Sequence, residues 1–392
     1  MPSSARRFGA LISVISLAAG LQLAAAPTAQ SIPTGEVRLA APGTAVPNSW
    51  IVVLKDGSTS AADLGATPRH VYRSALQGFS ASMSATDARR IAADPRVSYV
   101  QQDAEFHAAE TQANPTWGID RVDQRDLPLS KSYSYASSAP NVTAYILDTG
   151  IRTTHSEFGG RASIGTDTIG DGQNGRDCHG HGTHVAGTIG GRTYGVAKSV
   201  KLVAVRVLNC QSTGSGAQII AGIDWVTAHA VKPAVANMSL TAGAYAPIDD
   251  AVRRSIASGV TYAIAAGNGD SNGAPQNACD YSPGRVAQAI TVGATDEADR
   301  RASFSNFGTC LDLFAPGVNV VSSYLTNDTA TRSMSGTSMA TPHTVGVAAQ
   351  YLATHPTATP QQVRDALVAG ATTNKVVDAR TGSPNRLLFT QF

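Results

Sequence analysis

The sequence predicts an α/β fold, a central and mostly parallel sheet flanked by helices, preceded by a small α+β domain. Two stretches and the linkers around them predict it. Strand-like apolar segments at 142–147, 200–207, 235–240 and 262–265 alternate with helical spacing at 217–230 and 248–258, the pattern of parallel strands joined by covering helices. Upstream, strands near 50–54, 78–83 and 97–101 surround one short helix at 86–93. A Pro/Thr/Ala-rich linker at 27–47 and a second linker at 104–115 bracket that smaller domain.

The N-terminus comes first. Arg6 and Arg7 precede an apolar run over 8–26 with an Ala-rich end, which fits a secretory signal peptide over 1–29. No other stretch approaches the roughly 18 continuous apolar residues of a spanning helix. The protein is therefore expected outside the cell, without a membrane anchor. In the small domain, assigned to 46–107, Trp50-Ile51-Val52-Val53-Leu54 closes on the turn Asp56-Gly57, and the helix stops before Pro95. The large domain is assigned to 112–392. A long apolar helix opens near Ser338, with Pro342 expected in its first turn, where proline is tolerated.

Composition narrows the function. Only 15% of residues are charged and 37 are glycine, a turn-rich globular profile and not a disordered one. The net charge of +2, without a basic run, argues against nucleic acid as a partner. The four cysteines, Cys178, Cys210, Cys279 and Cys310, are an even set in an exported chain. They suggest two disulfides among three possible connectivities.

Three segments place reactive groups where open α/β sheets gather them, at the carboxyl ends of strands. Asp148-Thr149-Gly150 follows an apolar strand, Gly180-His181-Gly182-Thr183-His184 is a glycine-rich helix entry, and Ser335-Gly336-Thr337-Ser338 begins the long helix. Acyl transfer needs a nucleophile, a base and an anion that orients the base. Ser338, His181 and Asp148 can fill those roles. Asn268, after Ala265-Ala266-Gly267, can donate to an oxyanion together with the Ser338 backbone N–H. Two other readings stand beside this one. Cys178, His179, His181 and His184 are close enough to suggest zinc, though the spacing is not H-E-x-x-H. The fold could also serve as a binding protein, which the presence of all four catalytic types argues against.

These blocks, with Trp117-Gly118-Ile119-Asp120-Arg121-Val122-Asp123-Gln124 and Ser303-Phe304-Ser305-Asn306-Phe307-Gly308, resemble the subtilase family, closest to its proteinase K and aqualysin branch. The small domain resembles the inhibitory propeptide of that family, with a ferredoxin-like fold. The resemblance implies a secreted, monomeric serine endopeptidase acting on proteins and peptides and inhibited by its own propeptide, which it cuts off near His107 or Ala108. It implies Asp148, His181 and Ser338 as the triad and Asn268 as the oxyanion donor. Gly214, Ser215 and Gly216 would form one wall of the substrate cleft, and Ser239, Leu240 and Thr241 the other. His184 is implied to be structural, and His179 a neighbour lining the cleft. Disulfides Cys178–Cys210 and Cys279–Cys310 are implied as well. Structural calcium is implied at Asp312 with the backbone oxygens of Ala287 and Ala289, and at Asp120, Asp123 and Gln124 with Ser130 and Ser132.

The pocket segments 238–243 and 265–269 contain no acidic residue, so cleavage after apolar or aromatic residues is expected. Thr241 and Ala242 depart from the family, which usually has two glycines there. Glycines would let a substrate backbone approach closely.

Overall fold

The computed structural model describes residues 35–40, 45–105 and 110–390. The signal-peptide assignment and the cut near His107 or Ala108 lie outside the described residues. Contacts divide the described chain into two compact units, 35–37 with 50–100 and the remainder.

The first unit is built on β1 (Ala45–Leu54), β2 (Pro68–Tyr72), β3 (Gly78–Ser82), α1 (Ala85–Ala92) and β4 (Val97–Ala104), with sheet order β2-β3-β1-β4. Ser84 caps α1 by accepting from the Asp87 N–H. Trp50, Val52, Phe79, Ile91 and Val100 fill a separate core. The strand at 68–72 escaped the sequence pattern, because Pro68, Arg69 and His70 are all exposed and nothing alternates.

The second unit runs β5 (Glu110–Ala113), α2 (Trp117–Val122), β6 (Ser132–Tyr135), β7 (Thr143–Asp148), β8 (Ala162–Asp167), α3 (His181–Gly190), β9 (Lys201–Arg206), α4 (Gly216–His229), β10 (Ala234–Met238), β11 (Ala242–Gly243), α5 (Ala246–Ala257), β12 (Thr261–Ala265), β13 (Tyr281–Ser282), β14 (Ile290–Thr295), β15 (Leu313–Pro316), β16 (Val320–Ser323), β17 (Thr331–Met334), α6 (Thr337–Thr354), α7 (Pro360–Gly370), β18 (Thr372–Thr373) and β19 (Arg386–Leu387). Nine strands form one sheet in the order β18-β19-β15-β14-β12-β10-β7-β9-β8. All its pairings are parallel except β18–β19.

Alternation along the strands explains why both faces are covered. Ala144, Ile146 and Ala263 face a core shared with α3 and α6. Tyr145, Leu147, Tyr262 and Ile264 face another shared with α4 and α5. A strand buried on both faces needs a continuous apolar run, which is what β7 and β12 supply.

Pro342 is not in the first turn of α6 but six residues in, inside the helix. Proline has no N–H, so the carbonyl four residues earlier, that of Ser338, loses its helical partner. The Ser239 hydroxyl takes that place, donating to the Ser338 carbonyl at 2.9 Å. A break in the helix thus becomes a tie to the end of β10.

Candidate active site

The central strands β7, β10 and β12 lie side by side, and their carboxyl ends open on one cleft of about 370 Å³. It is lined by His181, Gly214, Ser239, Leu240, Thr241, Asn268, Thr337 and Ser338, among others. Ser215 and Gly216 are not among the lining residues. Ser215 instead caps α4 through a reciprocal pair with Gln218, and Gly216 is the first residue of that helix.

Asp148 is fully buried at the last position of β7. Its oxygens accept from His181 Nδ1 at 2.8 and 2.9 Å, and Oδ1 also accepts from the Thr149 N–H at 2.7 Å. This fixes the tautomer: with Nδ1–H donating to a carboxylate, Nε2 is left as the acceptor when the ring is neutral. Burial works to lower the His181 pKa, but the charge and hydrogen bond of Asp148, with Asp177 further off, leave it raised overall.

Asp177 was not singled out by the sequence. Its Oδ1 accepts from the N–H groups of His179 and Gly180 and from the Thr149 hydroxyl, and its Oδ2 accepts from the N–H and hydroxyl of Thr183. One carboxylate therefore ties the turn after β7 to the start of α3, the two segments that meet as Asp148 and His181. An Asp a few residues before a helix entry is a capping signal that could have exposed it. Arg206, fully buried beside Asp148 in the sheet, does similar work by pairing with Asp167 and Asp171 and donating to the Thr149 carbonyl. The structure joins Cys178 to Cys210 and Cys279 to Cys310, 32 and 31 residues apart. Loops of that length correspond to about 3–4 kcal/mol each in the chain-entropy account.

Ser338 is the second residue of α6, and its hydroxyl donates to the Ser239 carbonyl at 3.2 Å. Asn268 is oriented by its oxygen, which accepts from the Thr337 N–H at 2.8 Å and the Thr337 hydroxyl at 2.9 Å. Two donors on Oδ1 identify it as the oxygen and leave the amide Nδ2 as the free end. Thr337 was missed by sequence reasoning, since nothing in the chain signals a partner 69 residues away.

The zinc reading does not survive. Cys178 is in a disulfide and His181 is held by Asp148. His184 shares its Nε2–H between the carbonyls of Val320 and Arg332, both at 3.0 Å, and burial pushes its pKa down to about 4. Among the described residues no group of three or more His, Cys, Asp or Glu could hold a metal ion. His179 does not line the cleft, although its ring stands 6.3 Å from that of His181.

The two places read as calcium sites differ. At Asp312, Oδ1 forms an ion pair with Arg364 and Oδ2 accepts from the Thr291 N–H at 2.8 Å. Burial pushes this carboxyl up, opposed by Arg364, so the counter-charge it needs is already supplied by the chain. In this structure Arg364 holds the place beside Asp312 that an added cation would take. Near Asp120 the donors do fit. Asp120 accepts from Ser130 and Lys131, Gln124 from Ser130 and Asp123 Oδ2 from Ser134, while Asp123 Oδ1 is buried without a partner. Burial, with the charge of Asp120, pushes Asp123 up to about 6. A bound cation would relieve both the orphan oxygen and the like-charge repulsion.

Residues 140–387 match the Subtilase family, and residues 44–109 match Peptidase inhibitor I9. An extracellular serine proteinase of Thermus sp. (strain Rt41A) is 53% identical over 328 residues, covering 84% of this chain and 79% of that protein. Alkaline serine exoprotease A of Vibrio alginolyticus is 47% identical over 81% of this chain and 59% of its own length. Proteinase R of Parengyodontium album is 38% identical over 90% of this chain and 91% of its own. The crystal structure of a cold adapted subtilisin-like serine proteinase superposes with a TM-score of 0.68 at 48% identity, covering 71% of this chain and all of that one.

Proposed function

This chain belongs to the subtilase family, and from that premise we propose that it cuts peptide bonds through an acyl-enzyme on Ser338. It is a secreted serine endopeptidase that carries an I9-type propeptide as its own inhibitor. We assign 1–29 to the signal peptide, 46–107 to the propeptide and 112–392 to the protease.

The chemistry uses groups already placed. The Ser338 hydroxyl leaves the Ser239 carbonyl, passes its proton to His181 Nε2, and Oγ bonds to the scissile carbonyl carbon. The negative charge that develops on the carbonyl oxygen meets Asn268 Nδ2 and the Ser338 N–H, one of the first-turn N–H groups that a helix leaves unpaired. His181 then gives its proton to the departing amine, the C–N bond breaks, and an ester on Ser338 remains. Water repeats the sequence in reverse roles and releases the acid. Asp148 holds the imidazole in place and stabilises its charged form throughout.

The observation that carries this reading is the double hydrogen bond of Thr337 to Asn268 Oδ1, which leaves a donor facing the cleft that also holds Ser338 and His181. A fluorophosphonate probe tests it. One phosphonyl group should add to the peptide containing Ser338 with loss of casein hydrolysis. Labelling elsewhere, or activity untouched by the probe, would reject the mechanism. The cleft lining has no carboxylate, which supports cleavage after uncharged residues and not after Lys or Arg. Apolar and aromatic side chains both suit that lining chemically, and only its width separates them.

We also propose one structural calcium ion, held by Asp120, Asp123 and Gln124, with no role in the acyl chemistry. Chelation should lower Tm by several degrees, since a ligand at a hundred times its Kd contributes about 2.7 kcal/mol. Asp123→Asn should abolish the response to chelator, whereas Asp312→Asn should leave it intact. A calorimetric scan reads both, and a response lost only in Asp312→Asn would place the ion at the wrong site.

A further inference from the structure

The geometry points to Thr241 as the residue that limits what fits before the scissile bond: this protease cleaves after small residues and excludes aromatic ones. The inference rests on the acyl-transfer reading and names the substrate class for that site. With the acyl carbon on Ser338 Oγ and its oxygen on Asn268, the neighbouring side chain enters the space between 239–242 on one side and Ala265, Gly267 and Asn268 on the other, which line the cleft.

Both walls are tied to their surroundings. On one side Gly267 has φ of 103°, and a side chain there would meet Asn306 Nδ2 at 2.4 Å. Asn306 braces that wall by donating to the Ala266 carbonyl and accepting from the N–H groups of Gly269 and Gln276, while its own N–H donates to the Gly267 carbonyl. On the other side Thr241 stands between two fixed residues. Ser239 is bonded to Ser338 in both directions, and Ala242 pairs with Ser282 across β11 and β13.

The gap between them is filled. Thr241 Cγ2 lies 3.7 Å from the point a Cβ on Gly267 would occupy, so the methyl is no more than about 5 Å from the Gly267 Cα. An aromatic ring slid between two walls needs contact distance on both faces, about 7 Å in all. The methyl of an alanine residue needs no passage past this point. A β-branched side chain keeps a heavy atom facing Gly267 in two of its three staggered wells, so only the well that turns the Cβ hydrogen toward Gly267 clears the slot. The glycine pair expected here would leave the space clear.

Two peptide anilides that differ only in Ala or Phe before the scissile bond, hydrolysed by the mature enzyme, test the proposal. The wild type should favour Ala in kcat/KM by tenfold or more. Thr241→Gly, and independently Thr241→Ala, should swing the ratio toward Phe on the order of a hundredfold. Thr241→Ser, which keeps one heavy atom, should fall between. A wild type that prefers Phe, or a ratio unmoved in both the Gly and Ala variants, overturns the role of Thr241 and leaves acyl transfer standing. Hydrolysis of neither peptide, with no fluorophosphonate label on Ser338, overturns acyl transfer and this inference with it.

Discussion

Ser338→Ala is expected to stop two reactions at once, hydrolysis of added protein and removal of the chain's own propeptide. Without Oγ there is no acyl-enzyme, and only the oxyanion donors and substrate binding remain. The expected fall in kcat is on the order of a millionfold, the scale that loss of the nucleophile has in subtilisin. In a host lacking other proteases the variant should accumulate as a proform still joined through His107 and Ala108. Intact-mass measurement of the secreted material distinguishes the outcomes. A Ser338→Ala chain cut at its usual bond would assign processing to another enzyme while leaving the assay on added substrate to judge the nucleophile.

Asp148→Asn should cost about ten-thousandfold in kcat, the magnitude that the corresponding change has in the serine-protease template. The pH profile carries further information. The active base is neutral His181, so activity is lost as pH falls through its pKa. In the native chain that pKa is raised, because the charge and hydrogen bond of Asp148 outweigh burial. Removing the charge leaves burial less opposed, so the acidic limb of kcat/KM against pH should move to lower pH even as the plateau drops. A limb that stays in place would mean that Asp148 does not set the His181 proton affinity. A merely structural loss would lower the plateau without shifting the limb.

Strands 142–147 and 200–207 were legible because a strand covered on both faces reads as a mostly apolar run, broken in the second only by Lys201 and Arg206. The reactive Asp148, His181 and Ser338 were legible because each sits beside glycine or a helix entry. The partners that orient them were not. Asp177 acts across to Thr149, Arg206 reaches the loop at 167–171, Thr337 grips Asn268, and Asn306 braces 266–276. Each is an ordinary polar residue locally, and its work exists only after distant segments meet. Arg364 is the sharpest instance. The family resemblance implied Asp312 as a calcium ligand, whereas in the structure its carboxylate pairs with Arg364 of α7, 52 residues on. Ser215 and Gly216 have a local role that the sequence does show, the start of α4.

Pro342 bears on how this enzyme could be improved. A proline inside a helix is the first residue that a thermostability campaign would exchange, and alanine there would restore a backbone hydrogen bond. That bond would go to the Ser338 carbonyl, the group the Ser239 hydroxyl now occupies. The new N–H would compete with the serine, slackening the link between the nucleophile's helix and the strand on which substrate is laid. Gains in melting temperature at this position would thus be bought with catalytic precision. Helix defects of this kind are best left alone until the carbonyl they release has been traced to its new owner.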